Sequence, residues 1–400
     1  MKISLLGQFG SGNSGNDGSL EAMLIYLRRC RPDAELVCIC SNPDLIAKLY
    51  NIKAVGIGGS PNSSRWARNL DKLMLRLPGR LSLFFLSMAQ LNGFDLMIIP
   101  GTGILDDFQE KAFGWPFVLF CWCVTAKLCR TKIAFVSIGA GPINGTLSRW
   151  FLRSAALMAS YRSYRDDYSL EFMRTLGVDV STDRRYPDIA FTLPTPKPSI
   201  KPTVSDRLSV AVGVMHYRGW RVNEPRSEDI YEDYVGKIST FVIWLLAKGL
   251  HITLVTGDIA DQAALQDVMK RVVSAVSDES VSRMEMGTIG SLHTVMSQLS
   301  TVDLAVVSRY HNLVSSLKLN RPTISIGYAR KNDDLMEEFD QQRYCFQIET
   351  FELDELKRVF DELIDSRIVI QKRIGQVNKR WQMQLLEQQL LLSERLLTKG

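Results

Sequence analysis

Four hundred residues are about two to three times the usual domain size, which predicts two domains, each with its own hydrophobic core. Apolar residues at 46% and charged residues at 23% exclude a disordered, fibrous or collagen-like chain. The net charge of +5 arises in the first half: residues 1–195 carry 22 Lys and Arg against 16 Asp and Glu, and residues 196–400 carry 26 against 27. That balance excludes a dedicated nucleic-acid binder and suits an anionic small molecule or a membrane surface.

The apolar run at Met1 to Gly7 is too short for a signal peptide and predicts a first strand, Lys2–Leu6. A glycine-rich loop follows, then an amphipathic helix over Leu20–Arg29 and a strand over Glu35–Ile39. Arg65, Arg68, Lys72 and Arg76 recur at spacings of three and four on one side of a predicted helix, with Trp66, Leu70, Leu73 and Leu77 on another. Followed by the uncharged run up to Leu86, this basic amphipathic segment of residues 65–86 is a candidate membrane contact. The next set is a strand Leu96–Ile99, a glycine turn, an apolar helix Trp115–Leu128 and a strand Ile133–Ser137. Strand and helix alternate, the pattern of a parallel sheet with helices on both faces.

Pro194, Pro196, Pro198 and Pro202 then break regular structure and predict a linker over 194–204. Beyond it the alternation restarts: strand Leu208–Val214, helix Tyr231–Lys248, strand His251–Val255, helix Gln262–Val276, strand Leu304–Val307, helix Asn312–Leu319 and strand Thr323–Ile326. The last stretch, Leu353–Leu397, has a helical pattern throughout. The expected organisation is therefore α/β, with two Rossmann-like doubly wound domains, 1–193 and 205–350, facing a cleft. C-terminal helices over 351–400 are expected to return towards the first domain. No apolar stretch reaches the ~20 residues that cross a bilayer. Seven cysteines without C-x2-C spacing predict buried, reduced thiols in a cytoplasmic chain rather than zinc or disulfides.

Three glycine turns fall at strand ends, where ligands of open parallel sheets bind. The first runs from Gly7 through Gly10, Gly12, Asn13, Gly15 and Asp17. It contains G-x-G-x-x-G, but the second strand runs into Ser41 and Asn42 instead of an acid, which argues against a dinucleotide. The second holds Gly101 and Gly103, and the third Gly139, Gly141 and Pro142. In the second half Arg309 and His311 follow one strand and Lys331 follows the next, setting a proton donor beside an anion clamp. His216, His251 and His293 lack such company and read as surface or core histidines. Arg165 and Asp166 have a second reading as an ion pair capping a helix, and Asp106 and Asp107 read as a solvated helix start.

The loop Gly12-Asn13-x-Gly15, the Gly139 to Pro142 turn, Tyr164-Arg165-Asp166-x-x-Ser169, Pro187-Asp188, Arg309-x-His311 and the segment from Pro322 to Lys331 together resemble the polysaccharide pyruvyl transferases. The resemblance spans about Lys2 to Phe339, with Gly15-Asn16-Asp17 and Val255 to Asp258 departing from the usual pattern. It implies a fold similar to that of type B glycosyltransferases. It also implies transfer of pyruvate from phosphoenolpyruvate to saccharide hydroxyls as a ketal. On that reading His311 is catalytic, and Arg165, Arg309, Lys331, Gly139 and Gly141 hold the donor. Gly12, Asn13, Gly15, Asp17, Gly101 and Gly103 then lie towards the acceptor, a lipid-linked envelope or exopolysaccharide precursor. The first domain is the acceptor side and the second the donor side. The expected partners are phosphoenolpyruvate, the saccharide and an anionic membrane surface on the inner face of the cytoplasmic membrane, with no nucleic acid, no metal and no further cofactor. Two other readings stay open: a nucleotide-sugar-dependent type B glycosyltransferase, and a non-catalytic component of envelope polysaccharide assembly.

Overall fold

The structure, a computed structural model, describes residues 1–58, 77–108, 110–196, 207–220 and 224–398, and only the backbone of 77–82. Arg65, Arg68, Lys72 and Arg76, and residues 197–204 of the expected linker, lie outside the described residues. The chain divides into two units. The first comprises Met1–Ser11, Ser19–Ile189 and Leu385–Gly400, and the second comprises Gly12–Gly18 and Ala190–Gln384.

The first unit is built on seven parallel strands: β1 (Lys2–Leu6), β2 (Glu35–Cys40), β3 (Lys53–Gly56), β4 (Leu96–Pro100), β5 (Lys132–Ile138), β6 (Tyr161–Tyr164) and β7 (Arg184–Arg185). Their order is β3-β2-β1-β4-β5-β6-β7, so the sheet reverses direction of growth between β1 and β4. Helices on both faces bury these strands, which is why β4 is apolar without alternation and buried throughout. Trp122 and Phe135 fill the core beside Leu119 and Ile133, and the Trp122 indole donates to the Ile57 carbonyl at 3.0 Å. The short helix Pro43–Tyr50, absent from the sequence pattern, is set by local chemistry. Asn42 accepts from the Leu45 amide, proline occupies the first turn, and Asn51 closes the helix at φ 48°.

The second unit has six parallel strands: β8 (Ser209–Gly213), β9 (His251–Val255), β10 (Met284–Met286), β11 (Leu304–Val307), β12 (Thr323–Gly327) and β13 (Cys345–Gln347). Their order, β10-β9-β8-β11-β12-β13, repeats the same scheme with the reversal between β8 and β11. The C-terminal segment is one helix of 44 residues, Leu353–Leu396, whose first part lies in the second unit. There Trp381 meets Phe191 and Phe339 edge-on, each at 4.7 Å between ring centroids. From Leu385 onward the helix lies in the first unit. Gln388 donates there to Ser137 and Ser163 at 2.8 and 3.0 Å, and the Tyr26 hydroxyl donates to the Gln389 carbonyl at 2.7 Å.

Lys318 is a charged group placed at a cost in the second unit. Its ammonium donates to the Phe191 carbonyl, and burial pulls its pKa down from 10.5 to about 8. Because the folded pKa lies below the unfolded one, the unfolded chain holds more protons between those values, and folding stability gains as pH rises through that window. Lys318→Met removes this term. Its advantage over the parent is expected to be largest near about pH 7 and to shrink towards about pH 10, measured as urea midpoints.

Candidate active site

In the second unit the strand ends around the β8/β11 reversal carry the polar residues, as open parallel sheets require. Leaving β11, Ser308 and Arg309 turn the chain into the helix Tyr310–Lys318, which carries His311 in its first turn. Two buried groups hold this turn: the Tyr234 hydroxyl, 2.9 Å from Ser308 Oγ, and Asn332, whose amide donates to the Ser308 carbonyl at 3.2 Å. Lys331 opens the helix after β12, with Nζ 4.9 Å from the Tyr328 ring centroid and 5.9 Å from that of Tyr310. His311 lies edge-on to the same Tyr310 ring at 5.2 Å. His311 and Lys331 thus both lie within 6 Å of the Tyr310 ring centroid.

The glycine loop belongs to the same unit. Asn13 pairs with Asp258 in an isolated antiparallel bridge, and its side chain donates to Asp258 Oδ2 at 3.2 Å. Its own oxygen accepts from the Gly15 and Asn16 amides, capping the first helix, Ser14–Cys30. The Ser14 hydroxyl donates to the Gly257 carbonyl at 2.7 Å, and the Ile259 amide donates to the Gly12 carbonyl at 3.3 Å. Gly15 abuts His311 so closely that any Cβ there would collide with Nδ1 of the imidazole. Asp17 sits in the first turn of that helix, where its charge faces the helix dipole favourably.

Beneath these groups lies a buried charge network. Arg309 donates Nε to Asp261 Oδ2 at 2.8 Å and Nη2 to Asp261 Oδ1 at 2.6 Å, a bidentate pair, and its Nη1 stands 3.5 Å from Asp258 Oδ2. Asp261 is fully buried and also accepts from the Thr256 hydroxyl and the His216 amide. Burial alone would lower the Arg309 pKa, but the hydrogen bonds and charge of Asp261 outweigh it and raise it. Asp258 is pushed above the usual carboxylate range by burial, against the pull of Arg309. His216 is held lower than an ordinary histidine, first by burial and then by the Arg218 charge, and its Nε2 accepts from Arg218 Nε at 3.1 Å. Asp258, Asp261 and His216 were not marked as site residues by the sequence. The available signal was two acids three apart just after β9.

The first unit carries a second constellation. The turn holding Gly101 and Gly103 and the turn holding Gly139 and Gly141 are laced together, with the Gly139 amide donating to Thr102 and the Gly141 amide to Leu105 at 2.7 and 2.8 Å. Arg165, buried at the end of β6, lies under Gly139, where an added Cβ would stand 2.6 Å from Nη2. Its Nη1 meets Asp188 at 3.4 Å, and its Nε faces Asp166 at 3.5 Å. Asp166 also caps the next helix, accepting from the Ser169 amide at 2.6 Å. Asp107 does not start a helix as expected. It accepts from the Asn144 and Gly145 amides and so fixes the turn before the helix Thr146–Leu157. Gly12, Asn13, Gly15 and Asp17 thus share a unit with Arg309, His311 and Lys331, and the other five predicted residues share the first. Among the described residues no group of three His, Cys, Asp or Glu side chains is arranged to hold a metal ion.

The family model for polysaccharide pyruvyl transferases matches residues 13–330, from the cap of the first helix to the turn after β12. The chain belongs to this family. No curated protein matches it. Among solved structures it is similar to the HepE protein of Anabaena in complex with UDP and glucose, at TM-score 0.61 and 11% identity, covering 100% of both chains. It is also similar to the UDP-GlcNAc 2-epimerase of Methanocaldococcus jannaschii, at TM-score 0.61 and 9% identity over 90% of this chain and 92% of that one. A glycosyltransferase of Rickettsia africae gives TM-score 0.58 at 11% identity, covering 100% and 99%. At such identities the likeness is one of fold: two parallel-sheet units of the type B glycosyltransferase kind. The family match takes in both constellations, and Lys331 lies one residue past its end.

The charge network predicts a stability effect. Asp261→Ala strands the Arg309 guanidinium and should cost about 3–5 kcal/mol, seen as a lowered urea midpoint. The double variant Arg309→Met/Asp261→Leu should recover most of that loss, whereas equal midpoints for Asp261→Ala and the parent would contradict the pairing.

Proposed function

We propose that the chain transfers the pyruvyl group of phosphoenolpyruvate to two hydroxyls of a saccharide, forming a ketal, and that His311 supplies the proton. The observation that carries this reading is the packing of His311 against Gly15, where any Cβ would collide with the imidazole, and edge-on to Tyr310, whose ring Lys331 also approaches. In the first step a proton passes to C3 of the enol phosphate while one sugar hydroxyl adds at C2 and gives up its own proton. Phosphate then leaves with the bonding pair, and the second hydroxyl closes the ketal at C2 with loss of its proton. The site must donate one proton and steady carboxylate and phosphate charge, tasks suited to the His311 imidazole and to Lys331.

Arg309 enters differently from Lys331. Its charge is matched by Asp261 and Asp258, so its first role is to fix the Ser308–His311 turn, and its Nη1 edge is the part that can reach a donor. Gly139 sets its backbone against Arg165 in the first unit. We place the chain on the cytoplasmic side, acting on a lipid-linked acceptor at the membrane. No helix among the described residues is long and apolar enough to cross a membrane. A nucleotide-sugar transferase is the second reading, favoured by the UDP in the complex of the Anabaena relative.

Calorimetry with phosphoenolpyruvate and with UDP separates the two readings. Phosphoenolpyruvate is expected to bind, and binding of UDP alone would sink the pyruvyl reading. His311→Ala should lower turnover, followed as phosphate release, by about a hundredfold or more while donor affinity changes by only a fewfold, because the proton is needed in the transition state. Lys331→Ala should weaken donor binding itself.

A further inference from the structure

Between Glu110 and Asp166 the chain contains no acidic residue but eight lysines and arginines. This stretch builds the helices Trp115–Leu128 and Thr146–Leu157, which pack side by side in the first unit next to the helix Leu77–Leu91. Their outer surface is aromatic. Phe113, Phe117, Phe120, Trp150 and Phe151 form one cluster with ring centroids 5.1 to 5.7 Å apart. Two of these rings are open to solvent, Trp150 at 53% and Phe113 at 47%, while Phe151 is buried; Leu128, at the end of the first helix, is 61% exposed. Leu147, Trp150 and Leu157 fall at helical spacing on one stripe, and all three are exposed. Exposed Lys111 and Arg149 stand towards the start of the two helices, exposed Lys127 is in the last turn of the first and exposed Arg130 follows it. Lys127, Arg130 and Arg149 have no carboxylate partner among the described residues.

An apolar patch of this kind, rimmed by uncompensated positive charge, marks an interaction surface. We propose that this face docks on an anionic membrane, with Trp150, Phe113 and Leu147 entering the headgroup layer and Lys127, Arg130 and Arg149 meeting the lipid phosphates. Charge decides between the candidate occupants. Asp107 and Glu110 lie at the starts of the two helices, but Lys127, Arg130 and Arg149 still leave the rim with an excess of positive charge. A second copy of the chain would bring two such basic rims together, which repel, whereas an anionic lipid surface supplies counter-charge. Tryptophan suits that depth because its ring is apolar and its N–H stays wet. The residues are distinct from the 65–86 segment. The proposal rests on the lipid-linked reading only for its purpose, since the docking itself requires no donor and no saccharide.

The test is co-sedimentation of the full chain with vesicles of phosphatidylcholine alone and of phosphatidylcholine with about 30 mol% phosphatidylglycerol, with neither phosphoenolpyruvate nor saccharide present. The parent should prefer the anionic vesicles and lose that preference in high salt. Lys127→Gln/Arg130→Gln/Arg149→Gln should bind them about a hundredfold more weakly, from about fivefold per charge. Leu147→Ser/Trp150→Ser should also weaken binding, with thermal unfolding showing both variants folded. A parent without preference for anionic vesicles overturns the proposal, whatever the variants do. So does a triple variant that binds like the parent. Sedimentation velocity supplies the remaining arm: a concentration-dependent dimer lost in Leu147→Ser/Trp150→Ser would assign the face to a second copy instead.

Discussion

Arg309 cannot be left alone in the interior of the second unit, and that single constraint organises much of what surrounds it. A largely buried guanidinium needs its charge matched and its donors occupied, and Asp261 does both with two parallel hydrogen bonds. Asp261 in turn is fully buried, so its remaining lone pairs call for Thr256 and the His216 amide. Asp258 takes the third edge of the guanidinium and meets Asn13, the residue that caps the first helix. The pair therefore links the turn after β11, the loop after β9 and the glycine loop into one rigid arrangement, and His311 and Gly15 meet because of it.

Most strands and the long helices were legible because their chemistry is repetitive. β9, β11 and the helix Trp115–Leu128 were placed at their observed limits by apolar runs between turn residues alone. β6 was not, since Tyr161-Arg162-Ser163-Tyr164 has no apolar pattern. Arg162 is there because Asp183 meets it at 2.8 Å, a partner no local window contains. The edge strands β10 and β13, three residues each, were too short to announce themselves. Helix starts were placed late: Tyr310 begins a helix expected from Asn312, and Ser14 one expected from Leu20, because polar first turns lie outside the apolar periodicity.

For the site, the sequence supplied residue types at strand ends but not their pairing. His311 and Lys331 were legible as a donor and a cation following successive strands, and the structure adds that both approach the Tyr310 ring. Arg309 looked like an anion clamp. What spacing does not reveal is that Asp261, 48 positions away, already holds two of its edges. The segment from Val255 to Asp258, which departs from the family's usual pattern, turns out to be where Asn13 and Ser14 dock. Arg165 pairs with Asp166, the cap of the next helix, as its ion-pair reading expects, and it also lies under Gly139.

The helix Leu353–Leu396 has a consequence for how the chain comes into being. The first unit closes with Gln388 against Ser137 and Ser163 and with Gln389 against Tyr26, contacts that join residues more than two hundred positions apart. The second unit, for its part, includes Gly12–Gly18, made well before the rest of it. On a ribosome, where domains ordinarily fold as they emerge, neither unit has all its parts until this helix has been made. Two sheets with separate cores thus depend on one late event, the arrival of a helix, and a chain stalled before it would expose the buried Ser137 and Ser163 hydroxyls with no partner from Gln388.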